Sequence, residues 1–333
     1  DLAPFLASMH AQIDAVLAPL LPPGTPVALL DFPDHGNVGD SAIWLGETAA
    51  LRALGIRHPV YVCRADAYDR RVLAKVIGDG VILLHGGGNF GDLWPYFQRF
   101  REQVVQDFPD HRIVILPQSI MFTGREALDR ARRVLDAHRR LTILVRSRRS
   151  LELAAREFQA PSHLCPDMAL RLPPLEAGVA PGLDFVWLSR TDPERSAPEV
   201  PPPPDVRQVD WVAPDMPFRR LMGLLHRRPT LLRHLGPLVY DRLAWIQVRR
   251  GLRILGSGRG VVTDRLHAHI LCLLAGIPHC ILDNNYGKVR AVYETWTQGV
   301  GRAAWCASPE EAFARIRELT VAAEPQSARA GTA

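Results

Sequence analysis

The sequence has few cysteines and no CxxC pair of the kind that binds zinc or reacts in redox enzymes. Its five cysteines lie scattered among apolar neighbours over 333 residues. An odd, unpatterned set of this kind does not predict a disulfide framework or a zinc site. We therefore expect no metal ion in the protein.

Long hydrophobic runs are also missing. No stretch of about 18 uninterrupted apolar residues is present to span a membrane. Residues 1–24 lack a basic leader followed by an apolar run and a small-residue cleavage site, so they predict an amphipathic helix rather than a signal peptide. We expect a cytoplasmic protein.

Positive charge is in excess, at +5 with a pI of about 9.2, and one segment concentrates it. Between Phe218 and Arg253 there are nine arginines and a single acid, Asp241. Such a stretch, over residues 216–253, is typical of an element that lies on an anionic membrane surface. The alternative is a pair of helices whose arginine stems cover the core. We expect no nucleic-acid partner because no recognised binding motif accompanies the charge.

The chain length predicts two domains. In the first half, short apolar runs alternate with helical patterns. The strand-like runs are continuously apolar, which is typical of a parallel sheet covered on both faces. These runs are VALLDF (27–32), VYVC (60–63), GVILLHGGG (80–88), RIVILPQS (112–119) and LTILVRS (141–147). In such sheets ligands bind beyond the carboxyl ends of the strands.

A proline- and glycine-containing stretch, residues 173–182, has no periodicity and separates the two halves. We predict an α/β protein with an N-terminal doubly wound lobe at 1–172, a second lobe at 173–321 and a disordered tail at 322–333. A long helical region at 216–256 is expected within the second lobe.

The segment HGNVGD follows the first strand. One interpretation is a strand-to-helix turn in which Gly39 permits tight geometry and Asp40 caps the next helix. The other is a ligand site, in which Asn37 and the helix N-terminus bind an oxygen-rich ligand. Asp40 or His35 would then transfer a proton.

Three consecutive glycines, Gly86, Gly87 and Gly88, end the third strand. Close approach of a ligand to the backbone explains them better than packing does. The segment is neither GxGxxG nor a P-loop. Asn89 offers a donor and an acceptor to a sugar hydroxyl, and Asp92 is a candidate helix cap or base.

Arg146 follows a buried strand and is a candidate anion ligand, because its planar guanidinium matches phosphate and carboxylate. Arg265 and His267 occupy the same kind of position after the strand at 260–263. Being two residues apart, both can touch one ligand only if it wraps around the helix start or if the first residue is not helical. His269 we assign to core packing.

The next strand end, ILDNNYGK, carries Asn284 and Lys288, which can reach a bound anion or a sugar. With these segments together, the chain resembles the polysaccharide pyruvyltransferase family over about residues 25–320. The motifs that carry the resemblance are HGNVGDSAIW, HGGGNFGDLW, VRSRRS, TDRLHAHIL and GIPHCILDNNYGK. Ser147 departs from the family, in which an acidic residue is common after the arginine.

The resemblance implies two Rossmann-like lobes of the glycosyltransferase-B type, with phosphoenolpyruvate in a cleft between them. It implies that the Arg265–Leu266–His267 motif contacts this donor and that Arg146 assists from the other lobe. Asn284 and Lys288 join the donor side. The acceptor loops would be those containing His35, Asn37, Gly39, Gly86, Gly87, Gly88 and Asn89.

In this hypothesis His267 is the proton donor, Arg265 and Arg146 clamp the anion, and Asp40 or Asp92 is the base. No cofactor is expected besides the donor substrate. The acceptor would be a hexose of a lipid-linked exopolysaccharide repeat unit, reached at the inner membrane face. Two alternatives are a nucleotide-sugar glycosyltransferase of the same architecture and a non-catalytic scaffold protein associated with the membrane.

Overall fold

A computed structural model describes residues 1–192, 194, 200–212 and 229–321. The predicted disordered tail and the first part of the predicted long helix, 216–228, lie outside these residues. The chain divides into two compact units. The N-terminal unit comprises Leu6–Leu172 and Pro214–Ile246, and the C-terminal unit comprises Asp1–Phe5, Pro173–Ala213 and Gln247–Ala333. The segment up to Ile246 thus belongs to the N-terminal unit rather than to a continuous second lobe.

The N-terminal unit contains a sheet of seven parallel strands in the order β2-β1-β3-β5-β6-β7, with β4 paired to β5. The strands are β1 (Val27–Leu30), β2 (Tyr61–Cys63), β3 (Val81–Leu84), β4 (Gly87–Gly91), β5 (Arg112–Met121), β6 (Leu141–Val145) and β7 (Ser162–Leu164). Both β1 and β3 are buried at every residue, as continuous apolar runs predict for a doubly wound sheet.

Helices connect these strands. They are α1 (Leu2–Leu17), α2 (Val38–Ala53), α3 (Arg70–Ile77), α4 (Pro95–Asp107), α5 (Arg125–Asp136) and α6 (Arg148–Glu157), followed by a 3-10 turn at Met168–Arg171. Strand β4 was not expected from the sequence, and β5 extends two residues beyond the predicted run at 112–119, to Met121.

The C-terminal unit contains five parallel strands in the order β12-β11-β10-β8-β9. These are β8 (Leu183–Leu188), β9 (Val206–Val209), β10 (Gly258–Thr263), β11 (His279–Ile281) and β12 (Ala303–Trp305). The helices are α7 (Pro229–Gly256), α8 (Leu266–Leu274), α9 (Lys288–Val292) and α10 (Pro309–Val321). At the start of α10, Glu311 N donates to Ser308 Oγ (3.2 Å), and the Glu311 carboxylate accepts from Ala307 N (2.7 Å).

Helix α7 is divided between the two units after Ile246. In its first half Tyr240 stacks on Phe32 with ring centres 4.2 Å apart. Asp241 accepts a hydrogen bond from Trp44 Nε1 (3.0 Å) and pairs with Arg52. The single acid of the basic segment therefore anchors the helix to α2, while Ile246 is 55% exposed. No helix within the described ranges is long and apolar enough to cross a bilayer.

Candidate functional site

In each sheet the strand order reverses between the first strand of the unit and the third. The reversal lies between β1 and β3 in the N-terminal unit and between β8 and β10 in the C-terminal unit. Open α/β sheets bind ligands outside the carboxyl ends of the strands at such a point. HGNVGD follows β1, HGGGNFGD follows β3, and TDRLHAHIL follows β10, so three of the predicted motifs lie at these two positions.

After β1, the structure brings His35, Asn37 and Asp40 together. Asn37 caps α2: its Oδ1 accepts from Gly39 N (3.2 Å) and its Nδ2 donates to Asp40 Oδ2 (2.8 Å). His35 Nε2 lies 3.4 Å from the same oxygen. The prediction that Asp40 caps this helix is wrong, because the helix begins three residues earlier. Asp40 therefore lies in the first turn, where a carboxylate is also favourable.

Asp31, the first residue after β1, has a φ of 73° and is the one non-glycine in the described ranges with a left-handed backbone. Burial raises the pKa of its carboxyl to about 6, against the opposing effect of His85 and Arg101. A strained backbone and an acid with a shifted pKa at a switch point are features of functional sites. Asp31 was not among the residues predicted from the sequence.

After β3, His85 and Gly86 are held by Glu47 of α2. His85 Nδ1 lies 2.8 Å from Glu47 Oε2, and Gly86 N donates to Glu47 Oε1 (2.8 Å). A Cβ on Gly86 would lie 2.9 Å from the Pro117 carbonyl oxygen. Packing thus requires this glycine, contrary to our interpretation of the triplet. Gly87 has a φ of 125°, and a Cβ there would lie 3.6 Å from Asp40 Oδ1, so the two predicted loops meet.

Asn89 and Asp92 are engaged within the protein. Asn89 Oδ1 accepts from Arg101 Nη2 (2.6 Å) and Gln118 Nε2 (3.0 Å). Asp92 accepts from Thr123 N (2.9 Å) and Gly124 N (2.6 Å), and hydrogen bonds of this kind lower its pKa against the effect of burial. Asp92 therefore ties the end of β4 to the start of α5, and Asp40 is the better placed of the two candidate bases.

Arg146 is fully buried at the end of β6. Its Nη1 donates to Asp167 Oδ2 (2.6 Å) and its Nε to Ser119 Oγ (2.9 Å), and the two charged side chains are each 1% exposed. A contact of Arg146 with the donor remains a prediction. The adjacent Arg148 and Arg149 are exposed at the start of α6.

After β10, Arg265 is the N-cap residue of α8, with an extended backbone (φ −104°, ψ 119°). Because Arg265 is not helical, its two-residue separation from His267 does not force the two side chains onto different sides of the helix. Arg265 Nη2 donates to Asp210 Oδ2 (2.8 Å) and Asp192 Oδ2 (3.3 Å). Leu266 is buried, and His267 is 9% exposed.

Asn284 and Lys288 meet near the same strand ends. Lys288 N donates to Asn284 Oδ1 (2.8 Å), and Lys288 Nζ lies 2.6 Å from Glu194 Oε2. Asn284 Nδ2 donates to the same Glu194 oxygen (3.3 Å). Glu194, Arg190, Asp192 and Asp210 were not among the residues predicted from the sequence. The position of Arg190, two residues after the end of a buried strand, was an available signal for it.

His269 is a core residue, as predicted. It has no exposed surface, and its ring nitrogens lie 2.7 Å from His279 Nε2 and 2.8 Å from Thr297 Oγ1. Burial holds the pKa of His269 well below its ordinary value, so this imidazole is neutral. Among the residues that the structure describes, no three His, Cys, Asp or Glu side chains group in a way that could hold a metal ion.

Asp264, between β10 and Arg265, is a buried acid whose ionisation is expected to lower the stability of the fold. Burial raises its carboxyl pKa from 3.8 to about 6, although Arg190 and Arg265 oppose the shift. Because this pKa is higher in the folded state than in the unfolded state, the contribution of Asp264 to stability is complete below pH 3.8. It is lost as the pH rises through about 6. The loss amounts to roughly 3 kcal/mol at neutral pH.

Asparagine mimics the protonated acid, so Asp264→Asn is expected to unfold at higher urea concentration than the wild type at pH 8. The two proteins should converge as the pH falls toward 3.8. The exposed Asp184→Asn in the same unit is the control. A difference between Asp264→Asn and wild type that does not change with pH would rule out this explanation.

Comparison with known proteins identifies the family of the chain. The chain is 32% identical over 304 residues to EpsO of Bacillus subtilis (strain 168), a protein named as a pyruvyl transferase, covering 89% of this chain and 92% of EpsO. It is 34% identical over 285 residues to Pyruvyl transferase 1 of Schizosaccharomyces pombe, covering 82% of this chain and 70% of that protein.

A crystal structure of an uncharacterised protein from Klebsiella pneumoniae has the same fold, with a TM-score of 0.61 and 17% identity. The match covers 90% of this chain and 99% of the other, and it confirms the expected fold of two Rossmann-like lobes. The family description "Polysaccharide pyruvyl transferase" matches residues 37–286. The chain therefore belongs to the polysaccharide pyruvyl transferase family and is a transferase.

Proposed function

We propose that the protein transfers pyruvate from phosphoenolpyruvate to a hexose of a lipid-linked exopolysaccharide repeat unit and releases phosphate. The observation that carries the proposal is the non-helical Arg265 immediately before the first turn of α8. It places a guanidinium and the His267 imidazole at one strand end. A guanidinium suits an anionic donor, and an imidazole suits proton transfer near neutral pH.

The proposed reaction uses these groups in order. His267 protonates the methylene carbon of phosphoenolpyruvate, which becomes a methyl group, and positive charge develops at C2. One sugar hydroxyl attacks C2 and gives up its proton, and phosphate leaves with the electrons of the C2–O bond. A second hydroxyl then attacks C2 and passes its proton to the departing phosphate, which closes the ketal. Arg265, with Lys288 and Asn284 nearby, holds the donor's acidic groups through charge-assisted hydrogen bonds.

Asp40 is the proposed base toward the acceptor hydroxyl. It shares its loop with His35 and Asn37 and adjoins Gly87 across the strand ends of the N-terminal unit. Asp92 is the weaker candidate because two backbone amides already occupy its carboxylate. The partly exposed backbone at Gly88 would allow a sugar to approach closely.

The decisive experiment is incubation of the protein with phosphoenolpyruvate and extracted lipid-linked repeat units, followed by mass analysis. An added pyruvyl group with release of one phosphate is expected. No product, together with thermal stabilisation by nucleotide sugars instead of phosphoenolpyruvate, would point to a glycosyltransferase. No binding of either donor would point to a scaffold protein.

We also propose that the basic segment at 216–253 docks on an anionic membrane surface. In its described part, Leu238 and Ile246 are exposed while Asp241 is turned inward. Flotation with vesicles that contain anionic lipid should carry the protein upward, and neutral vesicles should not. Absence of co-flotation with both vesicle types would remove the membrane proposal and leave the transfer reaction untouched.

A further inference from the structure

Arg190 occupies a position equivalent to that of Arg265. It follows β8 as Arg265 follows β10, and these two strands flank the switch point of the C-terminal sheet. Arg190 N donates to Asp264 Oδ1 (3.0 Å), which fixes the two strand ends to each other. The Arg190 side chain is 8% exposed and the Arg265 side chain 4%, so both guanidinium groups are largely removed from water.

In the loop after β8, each of two carboxylates contacts two cations. Asp192 Oδ2 accepts from Arg190 Nη2 (3.0 Å) and from Arg265 Nη2 (3.3 Å). Glu194 Oε2 lies 2.9 Å from Arg190 Nη2 and 2.6 Å from Lys288 Nζ. Arg190 therefore contacts both carboxylates. Arg265 is the second cation at Asp192, and Lys288 is the second cation at Glu194.

The charges of this cluster are already compensated. Arg190, Arg265 and Lys288 face the carboxylates of Asp192, Glu194 and Asp210. A phosphate or carboxylate ligand gains little attraction from cations that protein acids already neutralise, so those acids must give way when it binds. Arg265 Nε is buried and has no acceptor within the described ranges, so the cluster still has room for one more acceptor.

We propose that Arg190 is a donor-binding residue, and that Asp192 and Glu194 occupy the positions of the donor's two acidic groups until the donor displaces them. The inference rests on the proposed function, since it assumes that the donor binds beside Arg265. The ligand it describes is small, with two acidic groups close enough for one guanidinium to bridge them. Phosphoenolpyruvate meets this requirement, whereas pyruvate and inorganic phosphate each supply only one of the two groups.

The direction of the affinity change in one variant tests whether the donor displaces Asp192. Asp192 is the most exposed acid of the cluster, with 23% of its side chain accessible, and Asp192→Asn is therefore expected to fold. Without the competing charge, calorimetry should show phosphoenolpyruvate binding about tenfold more tightly. The gain should be smaller for pyruvate and for inorganic phosphate. Weaker binding would mean that Asp192 orients the arginines for the ligand and would overturn the exchange.

A double variant tests Arg190 itself. Arg190→Gln alone leaves buried acids unpaired, which destabilises the fold, whereas Arg190→Gln with Asp192→Asn removes one charge of each sign. This double variant should bind phosphoenolpyruvate about tenfold or more weakly than Asp192→Asn alone. Equal affinities of the two would show that Arg190 serves only to pair with Asp192. Arg315→Gln, at an exposed ion pair of α10, is the control and should bind as the wild type does.

Wild-type protein that fails to bind phosphoenolpyruvate would overturn both the proposed function and this inference. Normal donor binding in the double variant, combined with loss of binding in Arg265→Ala, would overturn only the role of Arg190. The two failures are therefore distinguishable in one set of titrations.

Discussion

Replacing His267 with alanine is expected to slow pyruvyl transfer by about 10²- to 10⁴-fold, the usual contribution of a positioned general acid. His267 lies in the first turn of α8, two residues after the extended Arg265. Without its imidazole no group at this strand end is assigned to protonate the donor's methylene carbon. The measurement is phosphate release from phosphoenolpyruvate in the presence of acceptor.

Two comparisons make this result interpretable. His163→Ala, at an exposed position in β7, should leave the rate unchanged. Arg265→Ala should raise the KM for the donor more than His267→Ala does, because Arg265 is assigned to binding and His267 to proton transfer. Near-wild-type phosphate release by a folded His267→Ala protein would remove His267 from the mechanism.

Replacing Arg146 with methionine is expected to lower the free energy of unfolding by about 3–5 kcal/mol, because it leaves the buried Asp167 carboxylate without its counter-charge. The structure shows this pair to be completely enclosed. Urea unfolding of the variant at neutral pH provides the measurement. The exposed Arg125→Met, which breaks a surface pair with Asp129, should cost less than about 1 kcal/mol.

Removing both charges of the Arg146–Asp167 pair distinguishes a structural role of Arg146 from a role in donor binding. In Arg146→Met with Asp167→Asn both charges are gone, while the asparagine can still accept from Ala169 N as Asp167 does (2.9 Å). Most of the lost stability should return. If the refolded double variant binds phosphoenolpyruvate normally, the predicted contact of Arg146 with the donor is wrong. If binding is lost while stability is restored, the contact is supported.

The sequence predicted the architecture well because the signals for it are local. Continuous apolar runs identified most of the parallel strands. Strand β9 was missed because its four residues follow a run of prolines that reads as a loop. Strand β4 was missed because it consists largely of glycines, which have low strand preference.

The candidate site was predicted less completely because several of its contacts join segments that are distant in sequence. Asn37 and Asp40 both suit a helix cap, and only the folded backbone decides between them. The requirement for glycine at position 86 comes from the Pro117 carbonyl, 31 positions away along the chain. Arg190 and Arg265 share a carboxylate only because β8 and β10 pair side by side.

The division of α7 after Ile246 bears on how the protein should be dissected. Expression of residues 1–172 alone would omit Tyr240 and Asp241, which cover Phe32 and hydrogen-bond Trp44. The fragment would expose two large aromatic rings and a buried indole N–H, which favours aggregation. Truncation at the lobe boundary is therefore a poor route to an isolated N-terminal domain. Joining the helix segment that ends at Ile246 to residues 1–172 through a short linker is the better route.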